Sequence, residues 1–177
     1  MTFSTTNNNI LLEIHGISKS FPGVQALADV DLDVRSGEVH AILGENGAGK
    51  STLMKILSGA YQKDEGTICL HGNEVDILNP FHAQQLGIAM IYQEFNLAPH
   101  LSVAENVFIG REATATPFGF IRNGEICRET AKILKRLDVD IDAHRKVKSL
   151  NVCQQQITEI AKALSIDAKI FIMDEPT

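Results

Sequence analysis

Apolar residues along this chain change their spacing several times, and each change marks an element. After a polar stretch at 5–9, read as a frayed end of a disordered leader 1–9, Ile10, Leu11, Leu12, Ile14 and Ile17 open a strand-like segment. Between 28 and 34, Ala28, Val30, Leu32 and Val34 alternate with Asp29, Asp31 and Asp33, which predicts a strand with one wet face in an antiparallel flank. Ser36 and Gly37 turn it toward Val39–Leu43, a dense apolar run with no alternation beyond His40, expected as a strand covered on both faces. Leu53, Met54, Ile56 and Leu57 then have helical spacing, and Ser58-Gly59 supplies a stop. Strands are expected over 66–70 and 88–92, with a turn at His71-Gly72-Asn73 and a short helical piece near 81–86 between them.

From 94 to about 150 the character is helical: 103–109, then 125–137 with Ile126, Ile133, Leu134 and Leu137 on one face. The stretch 111–124 between them holds Thr114, Thr116, Pro117, Gly119 and Gly124, the chemistry of a loop to which no function is assigned. A last helix, 154–164, precedes an apolar strand, 169–173. No internal repeat interrupts this order.

Composition narrows the classes of function without naming one. With 177 residues, 44% hydrophobic and 21% charged, the chain has the makeup of an ordinary globular domain. A formal net charge of -6 argues against a general nucleic-acid or anionic-lipid binder, which relies on a basic footprint. Cys69, Cys127 and Cys153 are scattered without metal-ligand spacing and read as reduced thiols of a cytosolic chain. Neither a signal peptide nor a run of about 18 apolar residues is present, so any membrane role is expected to come through a partner.

The chemistry is concentrated in two places. Gly44-Glu45-Asn46-Gly47-Ala48-Gly49-Lys50-Ser51 fits G-x-x-x-x-G-K-[ST] between an expected strand and an amphipathic helix. Its glycines let backbone N–H groups close around phosphate oxygens, the helix N-terminus adds partial positive charge, Lys50 neutralises the β/γ region and the Ser51 hydroxyl ligates magnesium. This predicts that the loop binds the phosphates of a nucleoside triphosphate with Mg²⁺. The second place is the strand Lys169-Ile170-Phe171-Ile172-Met173, which delivers Asp174 and Glu175 to the C-terminal edge where parallel α/β sheets bind ligands. Alone, such a strand reads as one that meets solvent. Beside the glycine loop, Asp174 is expected in the magnesium shell and Glu175 on the attacking water.

These motifs, together with Leu150-Asn151-Val152-Cys153-Gln154-Gln155-Gln156 before a helix and Ile91-Tyr92-Gln93-Glu94, resemble the ATP-binding-cassette (ABC) family from about Ile10 to Thr177. The segments 18–27, 44–55 and 159–164 look most like ATPase subunits that import ribose, galactose, xylose and similar sugars. The resemblance implies an α/β fold: a P-loop NTPase with an antiparallel β flank and an inserted helical subdomain, truncated after the Walker B strand. Residues 10–93 and 165–177 would form the core of an incomplete nucleotide-binding domain, and 94–164 the helical subdomain with the signature segment. It also implies cassette dimers that sandwich ATP, transmembrane permease subunits as partners, a sugar-binding protein engaged indirectly, and a place on the cytoplasmic face of the membrane.

Residue by residue, the resemblance puts Phe21 on adenine, and Gly44, Glu45, Asn46, Gly47, Ala48, Gly49, Lys50, Ser51 and Thr52 around the phosphates. Asn151 and Gln154 would contact the phosphates of the facing cassette. Gln93 would reach magnesium and water at a hinge between lobes, and Phe95, Leu97, Pro99 and Leu101 would neighbour a groove for a permease helix. Where the family has Ser and Gly, this chain has Asn151 and Cys153. Asn151 can still cap the helix, whereas the Cys153 side chain fills space that glycine leaves open. At the helix N-terminus, the Cys153 thiol is expected to be the most reactive of the three.

The family also continues beyond Asp-Glu-Pro-Thr, so this stretch alone is expected to be less stable than a whole cassette and a poor ATPase. An importer ATPase is the leading reading. A non-catalytic ATP-binding remnant and a soluble cassette protein unconnected to transport are the alternatives; no Asn-Lys-x-Asp segment supports a GTPase, and a kinase would not need the signature-like helix.

Overall fold

The alternating segments at the start of the chain form β1 (Ile10–Phe21) and β2 (Val24–Arg35), a long antiparallel hairpin, in a computed structural model that describes residues 10–92, 96–111 and 123–174. Along β2 the aspartates 29, 31 and 33 are exposed while Val30, Leu32 and Val34 are half-buried, as the alternation predicts. β3 (Glu65–Leu70) pairs antiparallel with the other edge of β1, and β4 (Asn73–Glu74) follows across the His71-Gly72 turn, giving the sheet order β2-β1-β3-β4. Leu12, Ile14, Ile17, Ile68 and Leu70 carry the buried side of this sheet.

Where β1 and β3 cross, two glycines face each other. A Cβ on Gly66, whose φ is +91°, would stand 2.5 Å from His15 O and 2.6 Å from Gly16 O, so the strands could not approach with any other residue there. The register of β1 shifts at the same place, between Ile14 and Ile17 on the β2 side and between His15 and Ser18 on the β3 side. Asp31 Oδ1 accepts the Gly16 N–H at 2.8 Å and Ser18 Oγ accepts that of Asp29 at 3.0 Å, so side chains take up amides that the irregular ladder releases.

α1 (Lys50–Leu57) buries Leu53, Ile56 and Leu57 and contacts β2. Ser58 ends it and Gly59 follows at φ +76°, the stop expected from Ser58-Gly59. The expected strand at 39–43 is not formed. Val39 and Leu43 are 98% and 91% exposed, and no described strand pairs with this segment. The physical reason lies in its lack of alternation: such a run is held as a strand only by ladder partners on its edges and cover on both faces, and among the described residues no strand partners it and only Ile42 is half-buried.

These elements belong to one compact unit, 1–83; the second spans 84–177. α2 (Pro80–Gln85) runs across the division. In the second unit, β5 (Ile88–Ile91) and β6 (Ile170–Met173) pair in parallel, in register from Ile88 with Ile170 to Ile91 with Met173. α5 (Val152–Leu164) packs on β5, with Ala89, Ile91 and Ala163 in a common apolar cluster. α3 (Val103–Val107) and α4 (Asn123–Arg136) complete a helical core in which Val103, Val107, Leu134, Val147, Leu150 and Ala161 meet. Leu134 is buried, and Ile133 and Leu137 pack against the same cluster, as the spacing predicts.

One polar side chain holds the entry to α3. Asn106, 1% exposed, accepts the Ala98 N–H at 2.7 Å and donates Nδ2 to Ala98 O at 3.0 Å and Ser102 O at 2.9 Å. Removing it leaves these groups without their partner, so Asn106→Ala is expected to cost about 1–3 kcal/mol, measured by urea denaturation of the full chain.

Candidate phosphate site

The glycine loop lies in the first unit, between the exposed segment at 39–43 and α1. Ala48 N–H donates to Glu45 O at 3.1 Å, which closes a turn, and residues 44–48 are exposed. Gly49 then enters α1 in the left-handed conformation at φ 87°, as its N-cap, with no side-chain hydrogen bond on the helix end. First-turn N–H groups have no acceptor within their own helix, so this end of α1 presents backbone donors and the positive pole of its dipole. No acidic residue in the first turn offsets that charge.

Lys50 Nζ folds back over the loop and donates to Gly44 O at 2.7 Å and Glu45 O at 2.9 Å. The loop thus holds the ammonium at its own mouth through weak neutral acceptors, which an anionic oxygen would replace with a stronger, charge-assisted bond. Gly49 cannot be substituted freely, because a Cβ there would meet Ala26 O at 2.4 Å and Leu27 Cδ2 at 2.7 Å. This contact seats the end of the loop on the start of β2. The arrangement fits a phosphate chain: a helix N-terminus without a side-chain cap, a cation, and a glycine where a side chain would intrude.

Phe21 ends β1 in the same unit, 37% exposed, and its ring meets Tyr61 edge-to-face at 5.4 Å between centroids and 68° between planes. Tyr61 was not marked out by the sequence pattern; forty positions separate it from Phe21 and no local spacing links the two. Lys19, beside Phe21, is bonded through Nζ to Asp64, whose other oxygen accepts the Ser20 N–H at 2.7 Å. The Lys19 hydrogen bond first, and the Ser20 amide after it, hold the Asp64 carboxyl below the usual carboxylate range.

Asp174 and the signature segment lie in the second unit. Asp174 is half-buried at the end of β6, where its N–H donates to Ile91 O at 3.2 Å. Asn151 caps α5: its Oδ1 accepts the Gln154 N–H at 2.9 Å and Gln154 Oε1 accepts the Asn151 N–H at 3.3 Å, a reciprocal capping box. Gln93, Phe95 and Glu175 lie outside the described residues, as do 112–122 of the loop expected between α3 and α4. Also in this unit, a pocket of about 110 Å³ is lined by Met90, Tyr92, Asn96, Arg111, Glu159 and Lys162, among others. Among the described residues no three His, Cys, Asp or Glu side chains cluster as a metal site.

The model of the family described as ABC transporter matches residues 27–177. The chain belongs to the ABC transporter family. Among its relatives, the putative ribose/galactose/methyl galactoside import ATP-binding protein 3 of Burkholderia ambifaria is 55% identical over 167 residues, which are 94% of this chain and 33% of that protein. The ribose import ATP-binding protein RbsA of Hahella chejuensis is 50% identical over 96% of this chain and 34% of its own length. The chain therefore spans about a third of the curated relatives it matches.

Solved ABC cassettes share the fold. The crystal structure of one ABC transporter's ATP-binding cassette in its ADP conformation superposes with a TM-score of 0.80 at 28% identity, covering 94% of this chain and 69% of that one. A dimeric cassette in a post-hydrolysis state, bound to ADP and Pi, gives 0.76 at 26% identity, covering 94% and 75%. The P-loop NTPase architecture expected for the chain is thereby established, antiparallel flank included.

Two measurements follow, one on each unit. Because Asp64 has a lowered folded-state pKa, its contribution to stability is complete above the unfolded carboxylate value and disappears as pH falls through the folded one. Denaturation midpoints of the full chain should therefore fall with acid over that window, and Asp64→Asn should flatten that part of the profile. Among the thiols, Cys153 is exposed at the start of α5, whereas burial first, then Asp142 and Glu105, push the Cys127 thiol up. In competition alkylation Cys153 should label before Cys69 and Cys127; the reverse order would contradict the assignment.

Proposed function

We propose that this chain is the ATP-binding part of an ABC import system for carbohydrates. The observation that carries the reading is the loop 44–52: a left-handed Gly49 opening an uncapped helix, with Lys50 Nζ poised over the loop carbonyls. Family membership and the names of relatives such as the ribose import ATP-binding protein support the coupling to sugar transport.

In this reading the backbone N–H groups of Gly47, Gly49, Lys50, Ser51 and Thr52 bind the β- and γ-phosphates, aided by the loop residues Gly44, Glu45, Asn46 and Ala48, while Lys50 offsets their charge. Phe21 offers its ring to the base. The Ser51 hydroxyl and Asp174 would hold Mg²⁺, the remaining positions being phosphate oxygens and water, as suits a cation that seldom sits in an all-protein cage. Bound there, the ion would neutralise charge that develops on the phosphates. Gln93 and Glu175 would orient the attacking water, with Glu175 taking its proton. Asn151 and Gln154 would face the phosphates of a second cassette, and permease subunits would be the membrane partners that a sugar-binding protein engages indirectly. The chain would then work peripherally, at the cytoplasmic face of the membrane; no described helix is long and apolar enough to cross it.

A second reading, nucleotide binding without efficient hydrolysis, is favoured by α5. The backbone N–H groups of Asn151 and Gln154 are taken up by each other's side-chain oxygens, and Cys153 adds a side chain on the first turn.

Titration calorimetry and phosphate release separate the two. Lys50→Ala should weaken Mg-ATP binding by about 100-fold or more, the loss expected when a charge-assisted phosphate contact is removed. Glu175→Gln should bind ATP as the parent does, with turnover lowered by roughly 10²–10⁴-fold if hydrolysis is supported at all. Normal ATP affinity in Lys50→Ala would overturn the phosphate assignment.

A further inference from the structure

We infer that Tyr61 is a positioning residue for the base end of the nucleotide, acting by holding the Phe21 ring where an aromatic base can stack on it. This rests on the reading of 44–52 as the phosphate site.

Two independent connections run from the phosphate loop to the aromatic pair. Through β2, Phe21 pairs with Val24, and Ala26 two residues further on is the residue whose carbonyl abuts Gly49, a separation of about 7 Å along the strand. Through α1, Tyr61 N–H donates to Lys55 O at 3.0 Å, and Lys55 lies about 7.5 Å along the helix axis from Lys50. Strand and helix therefore lead from the phosphate cradle to the same two rings.

The rings are held in place yet remain open to solvent. Phe21 and Tyr61 are 37% and 36% exposed, so both rings are accessible to a ligand from solvent. Each ring carries a cation: Lys19 Nζ lies 5.7 Å from the Phe21 centroid and Lys55 Nζ 5.3 Å from that of Tyr61. Asp64 holds Lys19 through its Nζ. A phenylalanine at a hairpin end would otherwise sample several rotamers; the edge contact with Tyr61 selects one and reduces the entropy lost when a ligand stacks on it. No hydrogen-bonding group takes part in this reading, so the ligand class is a polyphosphate carrying any flat aromatic base, and adenine and guanine nucleotides should bind within a few-fold of each other.

The test compares ATP with inorganic tripolyphosphate, which has the phosphates but no base, on the full chain. Tyr61→Ala should weaken ATP binding by about three- to tenfold, the worth of one aromatic pair, and leave tripolyphosphate within twofold of the parent. Tyr61→Phe should restore ATP affinity. Phe21→Ala should lose at least as much, and adding Tyr61→Ala to it should cost nothing more, because Tyr61 acts through that ring. Tyr61→Leu fills the space without an aromatic edge and serves if the alanine variant fails to fold. The inference is overturned if ATP affinity is unchanged in Tyr61→Ala and Tyr61→Leu, or if ATP and tripolyphosphate weaken equally. Failure of the phosphate reading looks different: the parent would bind neither ligand, or Lys50→Ala would bind both as well as the parent.

Discussion

Gly49 passes into α1 at φ 87° with its α-carbon so near β2 that a methyl group would collide with the Ala26 carbonyl, and the phosphate cradle depends on that approach. A residue with a side chain would have to move the loop off the strand or leave the left-handed region, and either change would redirect the first-turn N–H groups. The same contact ties the loop to the β1–β2 hairpin. The hairpin in turn carries Phe21, so the glycine loop and that ring share one mechanical support.

The two helix N-termini with chemical interest are finished in opposite ways. α1 begins at a glycine with no side-chain cap and a lysine bent over the loop, which leaves donors for an incoming anion. α5 begins with a closed capping box, in which Asn151 and Gln154 satisfy each other's amides. A capped terminus is more stable by roughly 0.5–2 kcal/mol and correspondingly less available. The box occupies the backbone amides of Asn151 and Gln154, so those two donors are not open to an anion while it is closed, a restriction that α1 does not carry.

Most of the secondary structure was legible because its causes are local. The aspartate alternation of β2, the apolar face of α4, the Ser58-Gly59 stop and the Asn151 cap each depend on residues within a turn or two of one another. The segment Val39–Leu43 has the composition of a covered strand but does not form one. Composition states what such a run requires, namely partners on both edges, and says nothing about whether they are in place.

The loop Gly44–Ser51, its glycines and its lysine are determined by the sequence alone, since a phosphate cradle is a matter of eight consecutive residues and the helix that follows. Tertiary structure alone decided that Gly16 faces Gly66, that Asp64 holds Lys19, and that the Tyr61 ring meets that of Phe21 edge-to-face. Those contacts join residues about forty or more positions apart. Short-range steric and hydrogen-bonding rules do not reach that far; the register of the strands and the packing of α1 bring such pairs together.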